Sequence, residues 1–527
     1  MKNVVILVNG TWNDDDNQER SLLTNVVWLR ELCECAAISR DDQVVRYMDG
    51  VGSGGFVDKA LGGVFGRGLK DGICAAYQSA SEEYAVGDKI YFFGFSRGAY
   101  TVRTAADMIA SVGLVDLSGV ADPEKRKEIC QTLYKVYKKE ANVSEIGAIP
   151  FFNADTPQDA VGRTEIHLVG VWDTVGTAGI PDHYRILNAF DGVSKGHNWA
   201  NMLLSDVVQN GRHAIGMDEY RESFVPAFWT DENGDMINDA RVKQLWFSGV
   251  HTDIGGGYEH RDLGNIAMGW MTKEATGLGF LVDPDPARPI PKDRALGVVN
   301  DSMTSVFKKM WSRPRGVPNL SDKANKALFH PSVLARYSND ERASIPDWAA
   351  NEMTEGQEVK RVAKAAKRWS PMGVFLEPDK TYEIAAQGVW HDLKRDYGPD
   401  GEWINQPSGF MGKLLDAHVF PKAIATVARQ LRRNAPYRRV PGAWRIPESK
   451  AFVLMGVVAG GRGVQSIEGV TLAKPHTTFE IGKGVRVGAG TAHPIEKGGY
   501  LYCFPNDVWQ MYHNNSGELD VTITMVP

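Results

Sequence analysis

A serine hydroxyl is inert at neutral pH and becomes a nucleophile only where a base takes its proton and a strained turn lifts it clear of its neighbours. The stretch KIYFFGFSRGAYTVRTAADMIA offers such a turn: an apolar strand pattern runs into Gly94-Phe95-Ser96-Arg97-Gly98, then a helical pattern follows with small and apolar residues at Ala99, Val102, Ala106 and Ile109. This is GxSxG in the strand, turn and helix setting that gives the motif its meaning. Gly94 and Gly98 let strand and helix pack closely beside Ser96, and the helix start aims backbone N–H groups at a developing oxyanion. A serine that only caps the helix is the alternative.

The nucleophile needs a histidine base and an orienting carboxylate, which in this type of fold follow in the order Ser, Asp or Glu, His, just beyond later strand ends. EIHLVGVWDTVGT puts Asp173 at such an end, and VKQLWFSGVHTDIGGGY does the same for His251. Asp173 could instead be a loop carboxylate that accepts from nearby N–H groups. Near His251 stand His260 and Asp253, the latter open to three readings: a group behind the catalytic residues, a loop-ordering acceptor, or a metal ligand with His251. Oxyanion donors are expected from the amide of Arg97 and from the loop after an early strand, where Gly10 and Thr11 are the candidates. Asp14-Asp15-Asp16 in that loop reads as a solvated run or a cation site.

These residues require an open sheet to carry them. The runs VVILV, VVRYM, KIYFFGF, EIHLVGVWD and VKQLWFSGV alternate with helical patterns, which predicts an α/β fold: an α/β-hydrolase-like, mostly parallel sheet covered on both faces. A Pro-rich stretch at 283–293 interrupts the rhythm, and apolar helices around 122–148 and 298–311 are expected as cap insertions that shield an acyl chain. From about Met372 short alternating runs with Gly and Pro turns predict an all-β sandwich. The expected domains are 1–370, catalytic, and 371–527, the sandwich. Residues 359–369 have Val362, Ala363, Ala366 and Trp369 at helical spacing with Lys and Arg between, and Arg429, Arg432, Arg433, Arg438 and Arg439 form a second basic stretch. Both suit anionic lipid headgroups or plain solvated faces.

The chain has 527 residues, beyond the roughly 250–300 at which a single core stops growing, so two or more folded units are expected. A net charge of -6 argues against a nucleic-acid partner. Five scattered cysteines fit neither a disulfide framework nor a four-ligand zinc site, which points to a reducing cytoplasm. The N-terminus reads as a strand rather than a signal peptide, and no apolar run reaches the roughly 20 residues of a membrane span, so export would use a route without a cleaved signal. Gly50-Val51-Gly52-Ser53-Gly54-Gly55 formally matches GxGxxG, but no GxxxxGK[ST] accompanies it and a loop entering the next helix is the simpler reading. The chemistry expected of Ser96, Asp173 and His251 requires no cofactor.

GFSRGAYTVR, GVWDTVGT, DEYRESFVPAFW and WFSGVHTDIGGGY, in this order, resemble the α/β-hydrolase domain of phospholipase effectors of the bacterial type VI secretion system, over roughly residues 1–340. The resemblance implies Ser96 as nucleophile, Asp173 as orienting acid and His251 as base, acting on an ester-bearing membrane glycerophospholipid. It also implies a secretion spike protein, an adaptor and an immunity protein as partners. One departure is Asn9-Gly10-Thr11, where the family usually has Asp before Gly-Thr.

PNDVWQMYHNNSGELDVTI, with YEIAAQGVWHD and YGPDGEW, resembles the small calcium-dependent galactose-binding lectins of bacteria. Asp507, Asn514 and Asn515 match those lectins' Ca²⁺ ligands, and hard side-chain oxygens are what Ca²⁺ requires; a tight turn built on Asx side chains is the alternative. Where the lectins carry a sugar-holding His, this chain reads Glu402-Trp403-Ile404-Asn405-Gln406-Pro407, a departure that bears on a glycan partner. The expectation is a serine esterase of the lipase class with a targeting sandwich. The alternative is a carbohydrate- or partner-binding protein whose hydrolase domain is inactive.

Overall fold

The computed structural model describes residues 1–10, 22–34, 38–50, 64–175, 203–231, 235–283, 295–304, 311–337, 348, 353–405, 444–461, 464–467, 470–473 and 476–527. Thr11, the Asp14 run, most of the GxGxxG stretch and the basic stretch at 429–439 lie outside them.

Six strands, β1 (Asn3–Val8), β2 (Gln43–Met48), β3 (Lys89–Phe95), β4 (Leu168–Trp172), β5 (Gly211–Gly216) and β6 (Val242–Phe247), form one parallel sheet in the order β2-β1-β3-β4-β5-β6. Their apolar runs face helices on both sides. Val4, Ile6, Val8, Ile90 and Phe92 pack toward α2 (Val64–Glu83), α3 (Arg97–Val112) and α4 (Pro123–Tyr137), following α1 (Asn25–Cys33) in the chain. Val5, Leu7, Tyr91 and Phe93 pack on the opposite face with α1 and α6 (Asp262–Thr276), which follows the short α5 (His251–Gly255). Alternate residues of one strand thus enter two cores, which is why β1 is buried along its whole length.

The cap expectation needs correction. Helix α4 covers the stretch begun by Asp122, but its Ile129, Cys130 and Leu133 are buried in one core with α2 and α3, so it is a layer of the domain rather than a lid. Residues 295–304 form no helix, and 305–310 lie outside the described residues. The next helix is α7 (Pro331–Tyr337).

The second unit is a two-sheet antiparallel sandwich. One sheet has β10 (Arg395–Tyr397), β9 (Thr381–Asp392), β17 (Asn515–Val526) and β7 (Glu358–Lys364), with β15 (Gly484–Gly488) also on β9. The other has β14 (Thr477–Glu480), β11 (Leu454–Val458), β16 (Gly499–Pro505) and β8 (Ser370–Leu376), and β12 (Val464–Ile467) with β13 (Val470–Ala473) forms a separate hairpin. The basic stretch at 359–369 is therefore no helix. Its first half is β7, paired with β17 from Glu358↔Thr524 to Lys364↔Glu518, because the β17 edge supplies hydrogen bonds that outweigh local helical spacing. The sandwich accordingly begins ahead of the expected boundary at 370/371, which falls at the start of β8.

The two units share a core: Ile215, Phe228 and Trp246 beside the parallel sheet meet Tyr500 and Tyr502 of β16, with Val317 and Leu320 between them. Residues 311–320 thus run along the joint. Among the described residues no helix is long and apolar enough to cross a membrane.

Candidate active site

The turn between β3 and α3 holds Ser96 at φ 59 and ψ -120, a left-handed conformation that a non-glycine residue adopts only where surroundings impose it. Those surroundings are visible. Ser96 N–H bonds Trp172 O at 3.1 Å, extending the β3–β4 pairing past the strand end. A Cβ on Gly94 would lie 2.5 Å from Gly98 O, and one on Gly98 would run into Val8 O and Asn9 O, so both glycines are required by close backbone approach.

Two later strand ends deliver the partners. His251 Nε2 stands 2.8 Å from Ser96 Oγ, and its Nδ1 stands 2.6 Å from Asp173 Oδ2. Ser96, Asp173 and His251 are all buried. A carboxylate at Nδ1 fixes the tautomer with the proton there, leaving Nε2 as an acceptor facing the serine. Phe95 and Phe224 flank the imidazole at centroid distances of 4.7 and 4.8 Å. Burial holds the His251 pKa below the ordinary value of 6.5, against the opposing pull of Asp173.

Asp173 also has a positive φ, 38, and receives more than the histidine. Oδ1 accepts from Gly216 N–H at 2.9 Å and Arg315 Nη1 at 2.7 Å; Oδ2 accepts from Arg315 Nη2 at 2.8 Å. Burial alone would push this carboxyl up, but the Arg315 guanidinium and the His251 hydrogen bond outweigh it and hold Asp173 well below the usual carboxylate range. Arg315 additionally donates to Phe224 O at 2.6 Å.

Asp253 is a loop-ordering acceptor. Its Oδ2 takes the Val250 N–H at 2.9 Å and the Asn300 N–H at 3.2 Å, and Oδ1 takes Asn300 Nδ2 at 2.6 Å, which ties down the turn that presents His251. Burial pushes its carboxyl up to about 6, against these hydrogen bonds. Among the described residues no group of three His, Cys, Asp or Glu is placed to hold a metal ion. His260 is exposed on the following turn.

The Asn9 departure has a local account. Asn9 Oδ1 accepts from Gly10 N–H and from Thr24 Oγ1, each at 2.8 Å, while Nδ2 donates to Tyr47 Oη at 3.0 Å. An amide offers both the acceptor and the donor. The Gly10 N–H is thereby turned onto its neighbour's side chain, which corrects the expectation that it faces an oxyanion. Arg97 is the first residue of α3, directly after the serine, as the motif requires.

Several contributors were missed in the sequence. Glu219 accepts from His251 N–H at 3.2 Å and forms a buried pair with Arg221 at 2.8 Å; burial is outweighed by Arg221, and its carboxyl falls to about 2. Both lie within DEYRESFVPAFW, so the charged cluster inside that motif was the available signal. His213 Nε2 accepts the Thr174 N–H at 3.1 Å beside Asp173, and burial with Arg103 nearby keeps it neutral, at about 3. Arg315, in SRPRGVPN, carried no local signal.

In the C-terminal unit, Asp507 Oδ2 accepts from Asn515 Nδ2 at 2.9 Å, and Asn514 Nδ2 donates to Asp392 Oδ1 at 2.7 Å. Oδ1 of Asn514 and Oδ1 of Asn515 are buried with no hydrogen-bond partner. Two orphaned amide oxygens linked to two carboxylates form a hard-oxygen set whose chemistry fits Ca²⁺.

Comparisons with known proteins bear on the first unit. A yeast relative, the uncharacterized protein YEL023C of Saccharomyces cerevisiae, is 26% identical over 242 residues, 42% of this chain and 32% of its own length, so the chain spans about a third of it. Among solved structures, the Tle1 effector bound to the VgrG spike from the Type 6 secretion system has 16% identity over 56% of this chain and 76% of that one, with a TM-score of 0.34. An uncharacterized protein from Pseudomonas aeruginosa has 15% identity over 69% of each chain and a TM-score of 0.36. The EclA N-terminal domain, a PllA-like lectin, has 12% identity over 32% of this chain and 95% of that one, with a TM-score of 0.18. None of the three superposes closely enough to assign residues. The family model described as T6SS, Phospholipase effector Tle1-like, catalytic domain matches residues 2–274, a stretch that holds the elbow, Asp173 and His251 and ends short of residue 340. With more than half of its length matched, the chain belongs to the type VI secretion Tle1-like phospholipase effector family.

Proposed function

We propose that this chain is a serine ester hydrolase that cleaves acyl esters of membrane glycerophospholipids, in the manner of a phospholipase A. The observation that carries the reading is the unbroken relay Ser96 Oγ, His251 Nε2, His251 Nδ1, Asp173 Oδ2 at a strained strand-to-helix turn. His251 takes the Ser96 proton as Oγ attacks the ester carbonyl, and the Arg97 amide at the start of α3 holds the oxyanion. The imidazolium gives that proton to the departing alcohol oxygen. Water then attacks the acyl-enzyme, with His251 taking its proton and returning one to Ser96. Asp173 stays ionised throughout, as its depressed pKa favours.

Ser96→Ala is expected to abolish both ester hydrolysis and labelling by a fluorophosphonate probe while circular dichroism is unchanged. Full activity in that variant would refute the assignment. Family membership supports a secreted effector, with a secretion spike protein, an adaptor and an immunity protein as proposed partners.

For the sandwich we propose Ca²⁺ binding by Asp507, Asn514 and Asn515, supported by the two orphaned oxygens. Bound there, the ion would order the loop ahead of β17. Calorimetric titration with CaCl₂ should give heat for the wild type and none for Asp507→Ala; no heat in either protein would end the proposal.

A further inference from the structure

The segment 311–320 faces two ways. Arg315 points to the parallel sheet, where both its terminal nitrogens meet Asp173 at 2.7 and 2.8 Å and its side chain is 4% exposed. The residues on either side of it are held from both units: on the catalytic side Arg313 N–H bonds Tyr220 O at 2.6 Å and Glu222 N–H bonds Trp311 O at 3.3 Å, and the other contacts are with the sandwich. Gly461 N–H bonds His476 Nδ1 at 3.0 Å, and His476 Nε2 meets the strap twice, at 2.8 Å from Pro314 O and at 3.0 Å from Arg313 Nε. A Cβ on Gly316 would lie 2.5 Å from Gly461 O, so the strap and the loop after β11 touch backbone to backbone. Farther out, Trp311 packs at a tilt against Trp509 at 4.7 Å, Ser312 Oγ accepts from Trp369 Nε1 at 2.8 Å, and Leu320 N–H bonds Tyr500 Oη at 2.9 Å. These sandwich contacts fall on both sides of Arg315, whereas the catalytic-side backbone bonds reach only residues 311–313.

We infer that Arg315 is a positioning residue for the Asp173–His251 pair, and that the sandwich holds it in place by gripping the strap on both sides of it. The inference rests on the esterase reading above and adds to it a role for the second domain inside the first domain's active site. Two parallel N–H···O bonds from a planar guanidinium fix the carboxylate plane, which no single donor does. With the plane fixed, Oδ2 faces His251 Nδ1. The same guanidinium bonds Phe224 O, and the Phe224 ring abuts the imidazole, so one side chain sets two walls of the histidine site.

The charge of Arg315 has a second effect. It offsets the Asp173 charge that would otherwise favour imidazolium, so removing it should raise the His251 pKa. The charged and titratable groups around His251 are Asp173 after β4, Asp218, Glu219 and Arg221 after β5, Asp253 on its own turn, Tyr258 beyond it, and Arg315 on the strap. Among these, Arg315 is the one delivered by the joint between the domains.

The test uses the full chain, p-nitrophenyl butyrate as substrate and the pH dependence of kcat/KM. Arg315→Met is expected to lower kcat by about a hundredfold with KM changed by less than about twofold, and to move the acidic limb up by about one pH unit. Arg315→Lys should recover part of kcat and move the limb back. His476→Ala, which leaves the active site untouched and releases the strap, should move the limb in the same direction with a smaller loss of kcat. Arg486→Gln, an exposed change elsewhere on the sandwich, should match the wild type. A loss of kcat with an unmoved limb in Arg315→Met, or wild-type behaviour in His476→Ala, would overturn the inference. The His251 ring titration in ¹⁵N-histidine spectra needs no turnover: an upward move in Arg315→Met supports the clamp and an unmoved titration overturns it. Absence of ester hydrolysis by the wild type would instead overturn the esterase reading and leave the ring titration to decide the clamp.

Discussion

At the scale of residues, the arrangement trades basicity for readiness. His251 is buried between two phenyl rings and its pKa lies below the ordinary 6.5. In the proposed mechanism the base must be neutral to accept the Ser96 proton, so activity should stay level through neutral pH and fall only as the pH drops through a value under 6.5, which a kcat/KM profile on a neutral ester would show. The sign for stability agrees: the unfolded chain binds the His251 proton more readily than the folded one, so this group costs stability as the pH falls through 6.5. Ser96, Asp173 and His251 were legible in the sequence because each ends an apolar run and sits in a motif. Arg315 was not, because its significance comes from a partner 142 positions away and from folding of the sandwich. The direction of the Gly10 N–H was not legible for a related reason: which way a backbone N–H points depends on the side-chain amide of Asn9.

At the scale of elements, the elbow depends on an approach of backbones. Gly98 lies against Val8 O and Asn9 O where β1 ends, and a methyl group there must push α3 off the sheet. Gly98→Ala should therefore cost about 1–3 kcal/mol in urea unfolding. It should also slow fluorophosphonate labelling by more than about tenfold, since Ser96 would leave the reach of His251. The parallel sheet was readable because β1, β3 and β4 are apolar on both faces. Residues 359–369 misled because their apolar spacing also fits a helix, and only the β17 edge decides for strand. The α4 helix misled differently: periodicity marks an apolar face without saying whether that face covers a core or a pocket.

At the scale of the molecule, the joint is a hydrophobic core of its own. Tyr500 packs edge-on against Trp348 at 4.8 Å and Phe375 at 5.2 Å while its hydroxyl holds the strap, so it belongs to both units at once. Calorimetry of the wild type should give one unfolding transition for the two domains. Tyr500→Ala, losing a buried ring worth about 3–5 kcal/mol, should split it into two; a single unshifted peak would show that the joint contributes little.

The position of Arg315 in the chain bears on when the protein becomes active. Synthesis proceeds from the N-terminus, so Ser96, Asp173 and His251 leave the ribosome well before Arg315, and the sandwich residues that grip its strap, from Trp369 to Trp509, follow later still. A nascent chain holding Ser96, Asp173 and His251 still lacks the sandwich's share of the anchors of the ion pair on Asp173. On the proposed esterase reading, an unfinished copy would hold a clamp that closes only after the sandwich has been made.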